Sequence, residues 1–322
     1  MTTISRLAII DRGEPVVRVL AAVGNLNRRG EWDPITSVVV TEQAAERAWF
    51  AREADELVTP APGSPESQPG HPIDPAVVVQ QVRAARIDTA WIGHTPCLDR
   101  AELVAQLEAA GIAVVGPSAA LIRRLADPEA LRSLAAQAGL APLPADLGPD
   151  QWRRIEFDVL ADDAGTVWAL GPRDASVHRA DTPVVAEMPA VRVSDSTAGA
   201  MAHAARRLAR AAAYRGAGVV QFALGHDGET FWLLGIDTLA RTEHALVEEV
   251  TGTSFLGHRL RLAAGGVLDP EPPTVSGHAV EVRVLAQDFG RGYAASGGLL
   301  RLLALPVGTG VRVDGSVREG DV

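Results

Sequence analysis

The 322-residue sequence contains no lysine, so all 30 of its Lys+Arg residues are arginine. That absence excludes a Schiff base, a pyridoxal phosphate attachment, a Walker-type phosphate lysine and a biotinylated or lipoylated lysine on these residues. Cysteine is almost missing as well. Cys97 alone permits neither an internal disulfide nor a Cys-rich zinc site. Positive charge falls short of negative, with a formal net charge of −10 and a pI near 5.3. No basic surplus is therefore available for nucleic-acid phosphates. The longest unbroken apolar run is residues 19–23, far short of the roughly 20 residues that span a bilayer. The opening MTTISRLAIIDRGE has no basic segment ahead of a long apolar one, which argues against a secretory signal. These absences predict a soluble cytoplasmic protein without nucleic-acid or membrane partners. What is present is ordinary: 47% hydrophobic and 22% charged residues describe a globular chain, and its length suggests two domains.

Hydrophobic patterning divides the chain. Residues 7–10 are a short apolar run, and residues 14–28 follow with Val16, Leu20, Val23 and Leu26 at helical spacing and Gly30 as a stop. The β-branched run 35–41 predicts a buried strand, 43–54 a helix and 57–59 a short strand. Helix 75–86, strand 89–92, helix 101–110 and strand 112–115 continue the alternation. Strands separated by helices predict a doubly wound α/β domain with a parallel sheet. Residues 60–72, PAPGSPESQPGHP, read as a loop.

Two further helices, 119–125 and 128–138, lead into the proline-punctuated stretch 140–150. The second half reads differently. Residues 153–161 and 166–171 flank the turn 162–165, and 218–224 and 229–236 flank 226–228, as two hairpins. Between them, 194–214 predict a long helix with Met201, Ala205, Leu208 and Ala212 on one face and Arg206, Arg207 and Arg210 off it. Strands are expected again over 280–305. The resulting division is a Rossmann-like domain over 1–144, a linker over 145–152, and an α+β, mostly antiparallel domain over 153–322.

Weaker features have bland readings. His178 and Asp181 in HRADTP read as a solvated loop. His94 and Cys97 in GHTPC have the reach of a Cys–His pair but read better as a lone thiol. The glycines of RGAG (215–218) read as a helix C-cap. No G-x-S-x-G nucleophile motif occurs.

In chain order, IIDRGEPVVRVL, AWFAREADELV, GIAVVGPSAALIRRLAD, RRIEFDVLADDAGTVWALGPRD, YRGAGVVQF, TEHALVEEVTG, GHAVEVRVLAQD and GVRVDGSVREGD each resemble successive blocks of the biotin carboxylase family. These are ATP-grasp enzymes that carboxylate biotin in acyl-CoA and pyruvate carboxylases. The resemblance spans nearly the whole chain. It implies a doubly wound pre-ATP-grasp domain followed by an antiparallel ATP-grasp-like and biotin carboxylase C-terminal domain, working with ATP, Mg²⁺ and biotin on a carrier domain.

The departures fall where that chemistry resides. The family's small lid domain would lie between Ala145 and Arg153, where this chain has only DLGPDQW. Its nucleotide-binding lysines align with Pro128 and near Pro183. Its two metal-holding carboxylates align with Gln221 and Gly235, the adjacent asparagine with Asp237, and the catalytic arginine with Leu239. Two positions are retained by resemblance. Glu243 matches the base that acts on bicarbonate, and Arg283 matches the arginine that steadies biotin's ureido oxygen. Both also have a structural reading, as members of a buried ion pair. Arg173, Asp174 and Asp237 are expected to join a polar network.

The resemblance with these losses implies a pseudoenzyme with no cofactor or metal of its own. It would be a structural or docking component of a biotin-dependent acyl-CoA carboxylase or decarboxylase assembly. Carboxyltransferase and biotin carrier domains would be its partners, in the same polypeptide or as separate chains, and a homo-oligomer is left open. One alternative is a remodelled, ATP-independent enzyme acting on a carboxylate or acyl substrate through Glu243, Arg283, Asp237 and Arg241. The other is a biotin carboxylase completed by a partner chain. Because the sequence stops inside a segment that resembles a strand pair, Leu299, Leu302 and Val311 are expected to be buried against further material or the adjoining core.

Overall fold

Short runs of valine, isoleucine and leucine build the first sheet. In the computed structural model, which describes residues 3–30, 32–41, 48–59, 74–93, 99–179, 182–239 and 242–321, these runs form β1 (Arg6–Ile10), β2 (Thr36–Val40), β3 (Glu56–Val58) and β4 (Thr89–Ile92). They pair in parallel in the order β3–β2–β1–β4. The central strands are buried along nearly their whole length, as expected where both sheet faces are covered. Helices α1 (Glu14–Arg29) and α2 (Pro75–Ala84) connect them. α1 begins with Pro15 in its first turn and stops at Gly30, whose φ of 65° is left-handed. Gly93, just past β4, has no room for a side chain: a Cβ there would lie 1.5 Å from the Asp11 carboxylate.

The chain divides into two compact units, one made of Asp99–Val282 with Met1–Thr3, the other of Ile4–Leu98 with Arg283–Val322. This division cuts the sequence at other places than the 1–144 and 153–322 segments read from patterning. Of the expected elements, residues 60–72 and 43–47 lie outside the described residues, as do His94, Cys97, Asp181 and Arg241. Trp49–Glu53 is a short 3₁₀ turn.

In the unit made of Asp99–Val282, α3 (Arg100–Ala109), β5 (Ala113–Val114), α4 (Ala119–Ala126) and α5 (Pro128–Gln137) come first. The N-caps of the three helices are Asp99, Ser118 and Asp127, each accepting a backbone N–H from the first turn. Pro128 is the first residue of α5, where a missing N–H costs nothing. Residues 138–151 then reach β6 (Trp152–Ala161) through a 3₁₀ turn, with no intervening helix or strand.

An antiparallel sheet follows, ordered β10–β9–β6–β7–β8–β11. Its further strands are β7 (Val167–Arg179), β8 (Thr182–Met188), β9 (Gly216–Gly225), β10 (Phe231–Asp237) and β11 (Ala279–Val282). The long helix α6 (Asp195–Ala211) lies between β8 and β9 in sequence, and α7 (His244–Thr251) and α8 (Phe255–Ala263) between β10 and β11. On one face of the sheet, Ile155, Phe157, Val159, Val220 and Phe222 join Met201, Ala205 and Leu208 of α6 in one core. On the other, Leu160, Trp168 and Leu170 join Leu246, Val247 and Phe255 of α7 and α8.

Several expectations are corrected. β7 runs to Arg179, well past residue 171, so His178 is a strand residue paired with Pro183 of β8 rather than part of a loop. α6 ends at Ala211, and the left-handed turn after it is taken by Ala213 (φ 49°). The glycines of 215–218 therefore open β9 instead of capping α6. Strands do not continue to 305. After the short pair β12 (Gln287–Asp288) and β13 (Ala294–Ala295), the described residues contain neither helix nor strand. Leu300 exchanges two backbone hydrogen bonds with Gly320 and Asp321. Leu299, Leu302 and Val311, expected to be buried, are exposed by 56%, 75% and 49%. Apolar alternation predicts a strand only when a second layer takes its apolar side, and among the described residues nothing covers these side chains. No helix among the described residues is long and apolar enough to cross a membrane.

Candidate functional site

The site is a row of residues crossing the antiparallel sheet on the face turned to α7 and α8. Strand register places Gly235 of β10 opposite Gln221 of β9, Gln221 opposite Glu156 of β6, and Glu156 opposite Arg173 of β7. Asp158 lies two residues beyond Glu156 and so shares its face. Ile155, Phe157 and Val159 alternate with them and enter the opposite core. Glu156, Asp158 and Arg173 are all buried.

Arg173 ties the row together. Its Nη2 donates to Glu156 Oε2 at 2.9 Å, and its Nη1 donates to Asp158. Gln221 Nε2 donates to the other oxygen of Glu156 at 3.1 Å. Glu243 enters from the start of α7, is 1% exposed, and bears electrostatically on both Arg173 and Asp158. Burial pushes the Asp158 carboxyl up to about 6 despite the pull of Arg173, and the charges of Glu156 and Glu243 push the same way. Against a burial that opposes its charge, the surrounding carboxylates raise the Arg173 pKa, so it stays a cation. Three acids and one guanidinium form a buried cluster that supplies much of its own counter-charge.

The positions implied by resemblance separate into distinct fates. Gln221 and Glu243 belong to this cluster. Gly235 lies at the end of the row and offers no side chain; a Cβ there would meet Gln221 Oε1 at 3.9 Å, so there is room for one. Asp237 turns back on its own loop, its Oδ1 accepting the Leu239 N–H at 2.9 Å. The neighbouring Thr238 is held by Arg100 of α3, whose Nη2 donates to its carbonyl at 2.9 Å. Pro128 opens α5 and Pro183 lies in β8, so both have become backbone elements. Arg283 belongs to the other compact unit, where it bears electrostatically on Glu14.

The expected polar network differs in its membership. Asp174 follows Arg173 on the strand, pairs with Arg153 at 2.6 Å, and is not one of Arg173's partners. Glu156 and Asp158 were missed by the sequence reading. Their signal was present in IEFDVL, two acids spaced by two inside an otherwise apolar strand.

The donor set decides what the row can hold. Mg²⁺ takes six oxygens in near-ideal octahedral geometry, usually one or two carboxylates with phosphates and waters. Of the positions implied by resemblance, Gly235 has no side chain, Gln221 is an amide bonded to Glu156, and Asp237 accepts a hydrogen bond from its own loop. Glu156 and Asp158 are held by a guanidinium. Among the described residues no group of three or more His, Cys, Asp or Glu side chains could hold a metal. The residues present do not fit Mg-ATP.

Comparison with known proteins gives concordant results. Residues 3–122 match the family described as biotin carboxylase, N-terminal domain, and residues 148–271 the carbamoyl-phosphate synthase L chain, ATP binding domain. The biotin-dependent acyl-coenzyme A carboxylase alpha3 subunit of Mycobacterium leprae is 34% identical over 174 residues, 54% of this chain and 29% of that subunit. Biotin carboxylase 1 of Bacillus subtilis is 23% identical over 385 positions, covering 98% of this chain and 83% of that one. A solved structure of the T882A variant of Rhizobium etli pyruvate carboxylase superposes with a TM-score of 0.88 at 26% identity, over 98% of this chain and 32% of that one. The chain thus spans only a part of the relatives it matches, less than a third of the Mycobacterium leprae subunit.

Proposed function

The chain belongs to the biotin carboxylase family, and from that premise we propose that it is a catalytically degenerate member. It serves as a structural or docking component of a biotin-dependent acyl-CoA carboxylase or decarboxylase assembly, in contact with carboxyltransferase and biotin carrier domains. Its work is protein–protein contact rather than ATP chemistry. The observation that carries this reading is the charged row, in which Arg173 is bonded to the buried acids Glu156 and Asp158; by resemblance, Gln221 and Gly235 align with the family's metal-holding carboxylates.

Other features support it. The alignment to Bacillus subtilis biotin carboxylase 1 runs over 385 positions while including 98% of a 322-residue chain, so that relative carries residues this chain lacks. Their place is consistent with the direct passage from α5 to β6, where a lid would otherwise stand. With no lysine, and with no lid where the resemblance implies one, ATP's phosphates would lack both the family's lysines and a water-excluding cover. Losing one such electrostatic stabiliser typically lowers a rate by about 10²–10³, and here several are gone together.

Reconstitution tests the proposal. The chain, co-expressed with the carboxyltransferase and biotin carrier of a biotin-dependent acyl-CoA carboxylase from the same organism, is expected to co-elute with them, and the assembly's bicarbonate-dependent ATP hydrolysis should not depend on it. Failure to associate would overturn the docking role. Bicarbonate-dependent ATP hydrolysis that requires this chain would favour the reading of a carboxylase completed by its partner.

A further inference from the structure

One histidine holds the corner where α7 turns into α8. α7 ends at Gly252, whose φ of 66° is left-handed, and Ser254 caps α8 by accepting the Gly257 N–H. His258, in the first turn of α8, reaches back over this corner, and its Nε2 lies 2.8 Å from Thr253 Oγ1. The same ring meets Trp168 of β7 edge to face, with ring centroids 5.0 Å apart. Trp168 is 2% exposed and donates its indole N–H to the Asp269 carbonyl at 2.8 Å. The imidazole thus joins the corner, the sheet and, through Trp168, the segment after α8. None of these residues belongs to the charged row.

The second ring nitrogen decides what this residue can do. Nδ1 is buried and has no hydrogen-bond partner among the described residues. A buried N–H without an acceptor is rarer than an under-used acceptor, so the neutral ring carries its proton on Nε2 and donates it to Thr253. A proton taken from solvent then goes to Nδ1, where it is a buried, charged donor facing no acceptor. Burial holds the His258 pKa below its ordinary 6.5, Arg261 on the same helix adds to that, and Asp269 opposes it only in part. On α7, Glu248 accepts the Phe255 and Leu256 N–H groups and Glu249 is exposed. On β7, Arg173 is held by Glu156 and Asp158.

We propose that His258 is an acid-released latch on the corner between α7 and α8. Neutral, it pins the corner to Trp168; protonated at Nδ1, it leaves this niche, loosening residues 251–258 and uncovering Trp168. The sign follows from linkage. The ring's favourable contribution is complete above 6.5 and is lost as pH falls below that value. α7 and α8 pack on one face of the antiparallel sheet, so acid loosens that cover at its turn. The latch stands apart from the docking role and does not depend on it.

Two measurements on the full chain, made between pH 7.5 and pH 5, test the proposal. NMR of the imidazole nitrogens follows protonation of His258, whose signals are those lost in His258→Gln. Hydrogen exchange read by mass spectrometry follows amide protection of residues 251–262. His258 is expected to titrate below 6.5. As it does, protection of the corner, corrected for the intrinsic pH dependence of exchange, should fall at least about tenfold while α6 keeps its own. His258→Gln, neutral throughout, should show the same corner protection at both ends of the range. Thr253→Val, which removes the hydrogen bond and keeps the ring, should shift the His258 signals and lower corner protection at pH 7.5, and it decides the question if His258→Gln fails to fold. No protonation of His258 down to pH 5, titration at or above 6.5, protection unchanged while the ring takes its proton, or a fall that persists in His258→Gln would each overturn it.

Discussion

The two faces of the antiparallel sheet are made by the same strands and held by opposite means. Toward α6, Ile155, Phe157 and Val159 of β6 and Val220, Phe222 and Leu224 of β9 are apolar, and Phe157 and Phe222 meet edge to face with ring centroids 6.1 Å apart. Toward α7 and α8, the alternate positions carry Glu156, Asp158 and Gln221, interlocked through Arg173. The first face gains stability from hydrocarbon leaving water, which needs no particular partner. The second depends on Arg173, because buried acids are expensive without a counter-charge and tolerated beside one. That face is therefore acidic, with Glu156 and Asp158 tied to one another through Arg173.

Breaking that closure should produce the largest effect. Arg173→Met leaves three buried acids without their guanidinium and is expected to cost about 3–5 kcal/mol in urea denaturation at neutral pH. The loss should shrink in acid, where the carboxyls protonate. A cost below about 1 kcal/mol would mean that solvent, and not Arg173, balances the acids. The matching change on the apolar face is Met201→Ala, in the α6 core. It should cost about 2–5 kcal/mol through lost transfer energy and a cavity. Its cost should be the same at pH 5 and pH 8, which separates packing from charge.

A smaller and more diagnostic effect comes from Asp158. Its carboxyl titrates at about 6 in the folded chain against an ordinary value of 3.8. As pH rises, the unfolded chain releases this proton first and the folded chain retains it to about pH 6. The favourable contribution is therefore complete below 3.8 and is lost as pH climbs through 6. Asp158→Asn, neutral throughout, is expected to raise stability on the order of 1–3 kcal/mol at pH 8 and to change little at pH 4. Denaturation curves that keep the wild-type pH dependence between 4 and 7 would show that another group is responsible.

Parts of this architecture were legible in the sequence for physical reasons. β1, β2 and β4 are buried on both sides, so their apolar runs are unbroken and need no context. α6 announces itself through Met201, Ala205 and Leu208 at helical spacing, all fully buried. The hairpins β6–β7 and β9–β10 were found from their turns, but β7 was cut short at residue 171. α7 and α8 went unread because such short helices give little periodic signal. The strands expected up to residue 305 carried the right alternation without a layer to receive it. The charged row was the least legible of all. Glu156 and Gln221 are 65 residues apart, and only strand register makes them neighbours. Resemblance identified Gln221, Gly235 and Asp237 as altered positions, but not that Glu156, Asp158 and Arg173 pair with one another beside them.

If Arg173 holds Glu156 and Asp158 as the proposed function requires, the row on the α7 and α8 face has no place for Mg-ATP. Isothermal calorimetry of the intact chain with Mg-ATP at near-physiological salt addresses it most directly. The account predicts no saturable heat up to the millimolar range, about −4 kcal/mol of binding free energy. A saturable isotherm with micromolar affinity, about −8 kcal/mol, would contradict it.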